Sequence, residues 1–132
     1  MSEEREIVVS GVVVRNRAGD LLTVRKRGTE RFMLPGGKPE PGESAIETAV
    51  RECAEEVGLR VDANGLRHLG TYRTAAANEP GHALVASVFA LGEPVEAVSA
   101  AAEIAEVRWL DLSAPLPGDL APLLIECVIG DL

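Results

Sequence analysis

Residues 35–44 constrain the fold of this chain more than any other stretch. Pro35, Gly36, Gly37, Pro39, Pro41 and Gly42 crowd the interval before Glu43, too many breakers for a helix or strand, so the segment reads as a shaped loop. It hands over at once to a helix: Ser44 can cap it, and Glu47, three residues on, completes a capping box. Gly58 stands where a left-handed terminal residue ends such a helix. Ile46, Ala49, Val50, Cys53 and Val57 recur at helical spacing and form its buried stripe.

The remaining elements arrange themselves around this loop and helix. Glu6 to Asn16 is rich in Val and Ile and reads as a strand, with Gly11 as a bulge or close-approach point. Arg17-Ala18-Gly19-Asp20 is a turn, and Leu21 to Arg27 reads as the returning strand of a hairpin. Arg31 to Leu34 is a short extended piece. Leu66 to Thr74 and Ala83 to Leu91 alternate as paired strands, and Val107 to Leu110 is a shorter one. Asp119 to Val128 is expected to close the chain as an apolar helix, with Pro122 in its first turn. Strands mixed with one central and one terminal helix give an α/β sandwich over a single domain, residues 1–132. With 46% apolar residues the chain can bury a real core.

Charge narrows the function classes. A formal net charge of −8 argues against a nucleic-acid-binding surface, which rests on many Lys and Arg contacts to phosphate. No apolar run approaches the ~20 residues that a membrane span needs. The acidic start, Met1-Ser2-Glu3-Glu4-Arg5-Glu6, lacks the pattern of a secretory signal, which leads us to expect a cytoplasmic protein. Cys53 and Cys127 read as buried free thiols, and no cysteine pair has zinc spacing. His68 and His82 are isolated and read as strand surface or edge residues.

Chemistry concentrates on the central helix. Glu52, Glu55 and Glu56 stand at i, i+3 and i+4, so their carboxylates share one side and repel. The only cation one turn away within the helix is Arg51, four residues before Glu55. So poorly compensated a cluster is either a solvated acidic face or a site for a hard cation with oxygen ligands, above all Mg²⁺. Lys38, on the glycine-rich loop, is either a point charge for phosphates or an ordinary exposed lysine.

From Gly37 the chain runs Gly-x5-Glu-x7-Arg-Glu-x-x-Glu-Glu-x-Gly-Leu, with the fixed residues at Gly37, Glu43, Arg51, Glu52, Glu55, Glu56, Gly58 and Leu59. This resembles the Nudix box, over 23 consecutive residues. Cys53 stands where that family usually carries an aliphatic residue. Leu34-Pro35-Gly36 and Trp109-Leu110 are also similar to the family. The resemblance implies an α/β/α sandwich with a mixed sheet, a central catalytic helix and a terminal helix. It implies Mg²⁺, or Mn²⁺, bound by Glu52, Glu55 and Glu56 with the Gly36 carbonyl, Glu55 serving as ligand or water-orienting base. It makes Gly37, Glu43, Arg51 and Gly58 structural, with Glu43 and Arg51 as an ion pair between loop and helix.

Family members often activate water with a glutamate before the Trp-bearing strand; Glu103 is the choice here over Glu106. Arg25, Leu34, Lys38 and Asp119 are the expected substrate contacts. Compact size, the loop composition and Asp119 look most like the MutT-like (deoxy)nucleoside triphosphate pyrophosphatases. Arg73, Thr74 and Ala75 replace the Pro or Tyr markers of the ADP-ribose and diadenosine polyphosphate groups. A nucleotide-sugar pyrophosphatase and a non-catalytic Nudix-fold module are the alternatives. The small-molecule substrate would be a nucleotide, and members of this length often pair as homodimers.

Overall fold

A computed structural model describes residues 5–77 and 79–132; Met1 to Glu4, part of the acidic start, lie outside the described residues. The strands are β1 (Arg5–Val13), β2 (Leu21–Lys26), β3 (Gly36–Gly37), β4 (Leu66–Ala75), β5 (His82–Leu91) and β6 (Ile104–Leu110), and the central helix is α1 (Ala45–Val57). One mixed sheet has the order β3-β1-β5-β4, with β1 parallel to β5 and the other pairs antiparallel. A separate ladder joins β2 to β6.

Burial follows the pleat. On β1, Val12 belongs to a cluster with Ala49, Cys53 and Val57 of α1, whereas Val13 points into a second cluster with Leu120, Leu124 and Val128. Alternate residues of one strand therefore feed two cores, one under each helical layer, which explains why Ser10 to Val13 are all buried. The expected α/β/α arrangement with a mixed sheet is what forms.

The α1 boundaries match the local signals. The Ser44 Oγ accepts from the Glu47 N–H at 3.2 Å, the Glu47 carboxylate accepts from the Ser44 N–H at 2.9 Å, and Gly58 takes a left-handed φ of 67°. Ser44→Ala should therefore cost about 1 kcal/mol of stability, read from urea unfolding; a change under a few tenths would mean that water caps this end equally well.

Several elements depart from the sequence reading. Gly36 and Gly37, read as loop, pair with β1 as β3, and β6 begins at Ile104 and not at Val107. The expected hairpin is closed by the bridge between Arg15 and Leu21, by the Leu22 N–H to the Val14 carbonyl at 2.8 Å and by the Asn16 N–H to the Asp20 carbonyl at 3.1 Å, but the extended ladder of β2 is with β6. The terminal helix does not start at Asp119. The Asp119 carbonyl accepts the Phe32 N–H, and Leu120 bridges Phe32 as extended chain. Helical backbone runs over 122–131, π-helical at Leu124–Val128 and 3₁₀ at Ile129–Asp131. The Tyr72 hydroxyl donates to Asp131 at 2.7 Å and ties this segment to β4. Among the described residues, no helix is long and apolar enough to cross a membrane.

Candidate active site

The loop before α1 is built against β1 so closely at Gly36 that no side chain fits, and at Gly37 it lies against the Glu52 carboxylate. A Cβ on Gly36 would lie 2.0 Å from the Ser10 carbonyl oxygen, and one on Gly37 would lie 2.7 Å from the Glu52 carboxylate. Here the need is for close approach. It lets β3 pair with β1 and brings the glycine peptides onto the acidic face of α1.

Arg51 is the hub of that face. Its Nε and Nη2 grip both oxygens of Glu43 at 2.8 and 3.0 Å, Nη2 also donates to the Lys38 carbonyl at 2.9 Å, and Nη1 donates to Glu52 at 2.7 Å and Glu55 at 3.1 Å. One guanidinium thus ties loop to helix and holds three carboxylates. Arg51 first, then the Glu40 N–H, pulls the Glu43 carboxyl down to about 2.

Glu56 has a different environment. It is only 4% exposed, accepts the Gly36 N–H at 3.0 Å, and faces the Lys26 ammonium at 3.8 Å. Burial pushes its carboxyl up to about 7, against the opposing pull of the Gly36 N–H and Lys26. Glu52 and Glu103 add to the rise. The neighbouring Cys53 thiol is pushed up to about 12, mainly by burial, and is an inert part of the core.

Arg51 and Glu56 line a cavity of about 620 Å³, within the usual range for small-molecule sites. Glu52, Glu55, Glu56, Glu103, Lys38 and Gly36 meet there, and so does Leu34. Ile7, Val9, Met33, Leu84 and Leu123 make up the apolar part of its wall. Arg25 and Asp119 are not among the lining residues. The Arg25 guanidinium is taken up by Glu106 and the Thr29 carbonyl, and Asp119 by Arg108. Lys26, not among the expected substrate contacts, lines the cavity instead. A bulge between Arg25 and Lys26 shifts the register against β6, and such a shift re-aims the side chains that follow it. Glu103 sits in a turn after Ala102, whose φ of 53° is left-handed for a residue with a Cβ.

A family model, the NUDIX domain, matches residues 5–127. The chain belongs to the Nudix family.

This Nudix chain is 30% identical over 99 residues to a putative 8-oxo-dGTP diphosphatase of Bacillus subtilis (strain 168), covering 75% of the chain and 62% of that protein. It is 44% identical over 50 residues to an RNA pyrophosphohydrolase of Pectobacterium carotovorum, covering 38% of the chain and 28% of the relative. The chain thus spans less than two thirds of the length of these curated relatives. Among solved structures, a MutT protein from Methanosarcina mazei Go1 superposes with a TM-score of 0.71 at 27% identity, over 86% of this chain and 82% of that one. A MutT NUDIX hydrolase from Burkholderia pseudomallei reaches a TM-score of 0.72 at 23% identity, over 89% and 92% of the two chains, which speaks for the fold.

Whether the site suits a divalent cation turns on the donor set. Its donors are carboxylate and carbonyl oxygens, which fits a hard cation such as Mg²⁺. Their present positions are committed elsewhere: among the described residues no three side chains of ligand type converge on one point. A cation would compete with the Arg51 Nη1 for Glu52 and Glu55, and with the Lys26 ammonium for Glu56.

Proposed function

We propose that this Nudix domain is a divalent-cation-dependent pyrophosphohydrolase that cleaves a (deoxy)nucleoside triphosphate to the monophosphate and pyrophosphate. The observation that carries this reading is the mixed lining of the cavity. Glu52, Glu55, Glu56, Lys38 and Lys26 share it with Ile7, Val9, Met33, Leu84 and Leu123, and its volume of about 620 Å³ suits a ligand of nucleotide size. The name of the Bacillus subtilis relative points the same way. The RNA pyrophosphohydrolase match covers 50 residues and supports the diphosphate chemistry alone.

In this reading Glu52, Glu55 and Glu56, with the Gly36 carbonyl, would hold Mg²⁺ or Mn²⁺. Bound there, such a cation supplies charge neutralisation at the diphosphate oxygens and a lowered pKa for water. Lys38 and Lys26 place two ammonium charges for the remaining phosphate oxygens. Glu103, on the turn that faces Glu56, orients the attacking water and accepts its proton. Leu34 and the apolar wall exclude solvent from the nucleoside end.

The test is product analysis over a nucleotide panel with Mg²⁺ and then with excess chelator. Nucleoside monophosphate and pyrophosphate should appear together and only with the cation, and ¹⁸O water should label a single product. Orthophosphate with a nucleoside diphosphate would overturn the cleavage position. Turnover confined to sugar-linked diphosphates would overturn the substrate class.

A further inference from the structure

A cluster outside the cavity joins two chain segments that go on to line it. Arg108, on β6, has its backbone carbonyl held by the buried Thr23 hydroxyl at 2.7 Å. Its guanidinium grips both oxygens of Asp119 at 2.9 and 2.7 Å and lies over the Phe32 ring, its central carbon 3.7 Å from the ring centroid. The remaining guanidinium Nε is buried without a hydrogen-bond partner. An orphaned buried donor costs free energy. Such a cost is kept where the fork and the ring contact fix a geometry.

What they fix is the pairing of two chain segments. The Phe32 N–H donates to the Asp119 carbonyl at 2.8 Å, and the Ala121 N–H donates to the Phe32 carbonyl at 2.8 Å. Arg31 reaches the Leu120 carbonyl at 3.1 Å. Met33 and Leu34 follow Phe32 into the cavity wall, and Ala121 and Leu123 follow Asp119 into it. Neither Arg108 nor Asp119 lines the cavity.

We propose that Arg108 and Asp119 form a positioning clamp that sets the shape of the apolar wall, so that both govern affinity for the nucleoside end of the substrate without touching it. The proposal rests on the nucleotide reading above, and it replaces direct base recognition by Asp119 with an action through Phe32 and Ala121. Because the two residues work as one unit, their substitutions should not add.

The test is binding by titration calorimetry with Ca²⁺ in place of Mg²⁺, using the nucleoside triphosphate most rapidly turned over and inorganic tripolyphosphate. Arg108→Lys keeps the charge but loses the fork and the guanidinium over the Phe32 ring. Asp119→Asn keeps the shape but loses the charge. Each should weaken nucleotide binding by about tenfold, leave tripolyphosphate binding within about twofold, and show no further loss when combined. In turnover, KM should rise with little change in kcat. A loss confined to Asp119→Asn, with Arg108→Lys silent, would restore direct base contact and overturn the clamp. Equal losses on both ligands would reduce the pair to general structural support. A parent chain that binds tripolyphosphate but no nucleotide would overturn the functional reading itself, and the clamp with it. Nucleotide binding equal in parent and variants would overturn the clamp alone.

Discussion

Glu56→Gln is expected to lower turnover by roughly a thousandfold while making the cation-free protein more stable above neutral pH. The carboxylate is nearly buried, with one N–H at 3.0 Å and one ammonium at 3.8 Å to offset its charge. Its folded pKa of about 7 lies above the ordinary 4.5. Folding therefore favours the protonated form: the stabilising contribution is complete below about 4.5 and is lost as pH rises through 7. A difference of this size corresponds to at most about 3 kcal/mol. Glutamine stays neutral, and its amide oxygen can still accept the Gly36 N–H, while Lys26 can turn to solvent. In chelator, the variant should melt several degrees above the parent at pH 8 and level with it at pH 4.5. Added Mg²⁺ should raise the melting temperature of the parent by mass action and leave the variant unchanged. A variant less stable than the parent at pH 8, or one that keeps its activity, would refute the role given to Glu56.

Arg51→Ala should do the opposite to stability, lowering the melting temperature by about 10 °C. The substitution strips partners from Glu43, Glu52 and Glu55 at once and frees the Lys38 carbonyl. Arg51 is what holds the Glu43 carboxyl near 2. That part of the stability is present above the ordinary value of 4.5 and is lost as pH falls through 2, so the gap between parent and variant should narrow across that window. Arg51→Lys should recover little, because a single ammonium cannot grip both Glu43 oxygens and the carbonyl together. Melting curves at pH 7 and pH 2.5 decide it; a constant gap would mean that Glu43 draws its low pKa from elsewhere.

The two substitutions separate what the sequence made readable from what it hid. The capping box, the left-handed Gly58 and the loop of breakers are local, and the helix formed where they said it would. The i, i+3, i+4 carboxylates and the glycine loop line one cavity, because helix geometry and short loops fix such relations within a few residues; Glu103, far along the chain, lines it too but is legible only through the resemblance to the family. Along the sequence Lys26 reads as a solvated charge beside Arg25, because its direction depends on a bulge against β6, some 80 residues away. The same holds for the charge opposite Glu56: read along α1 alone, that glutamate has no compensating cation, whereas β2 delivers one. Asp119 was read as the start of a helix because the apolar run follows it directly. Its engagement with Arg108 and Phe32 belongs to tertiary pairing, which overrides helix propensity there.

The parallel pairing of β1 with β5 has a consequence for how the chain reaches this state. Arg5 meets His82, and Val13 meets Ala90, so the centre of the sheet forms only after a closure spanning more than half the chain. Loop-closure entropy opposes that step before any contact repays it. During synthesis β1 emerges first and must wait for β5, its apolar residues uncovered, while α1 with its capping box can already flicker into helical form. The order of assembly is then set by the last central strand to arrive. Substitutions in β5, such as Val88→Ala, should slow refolding more than equally destabilising ones in α1.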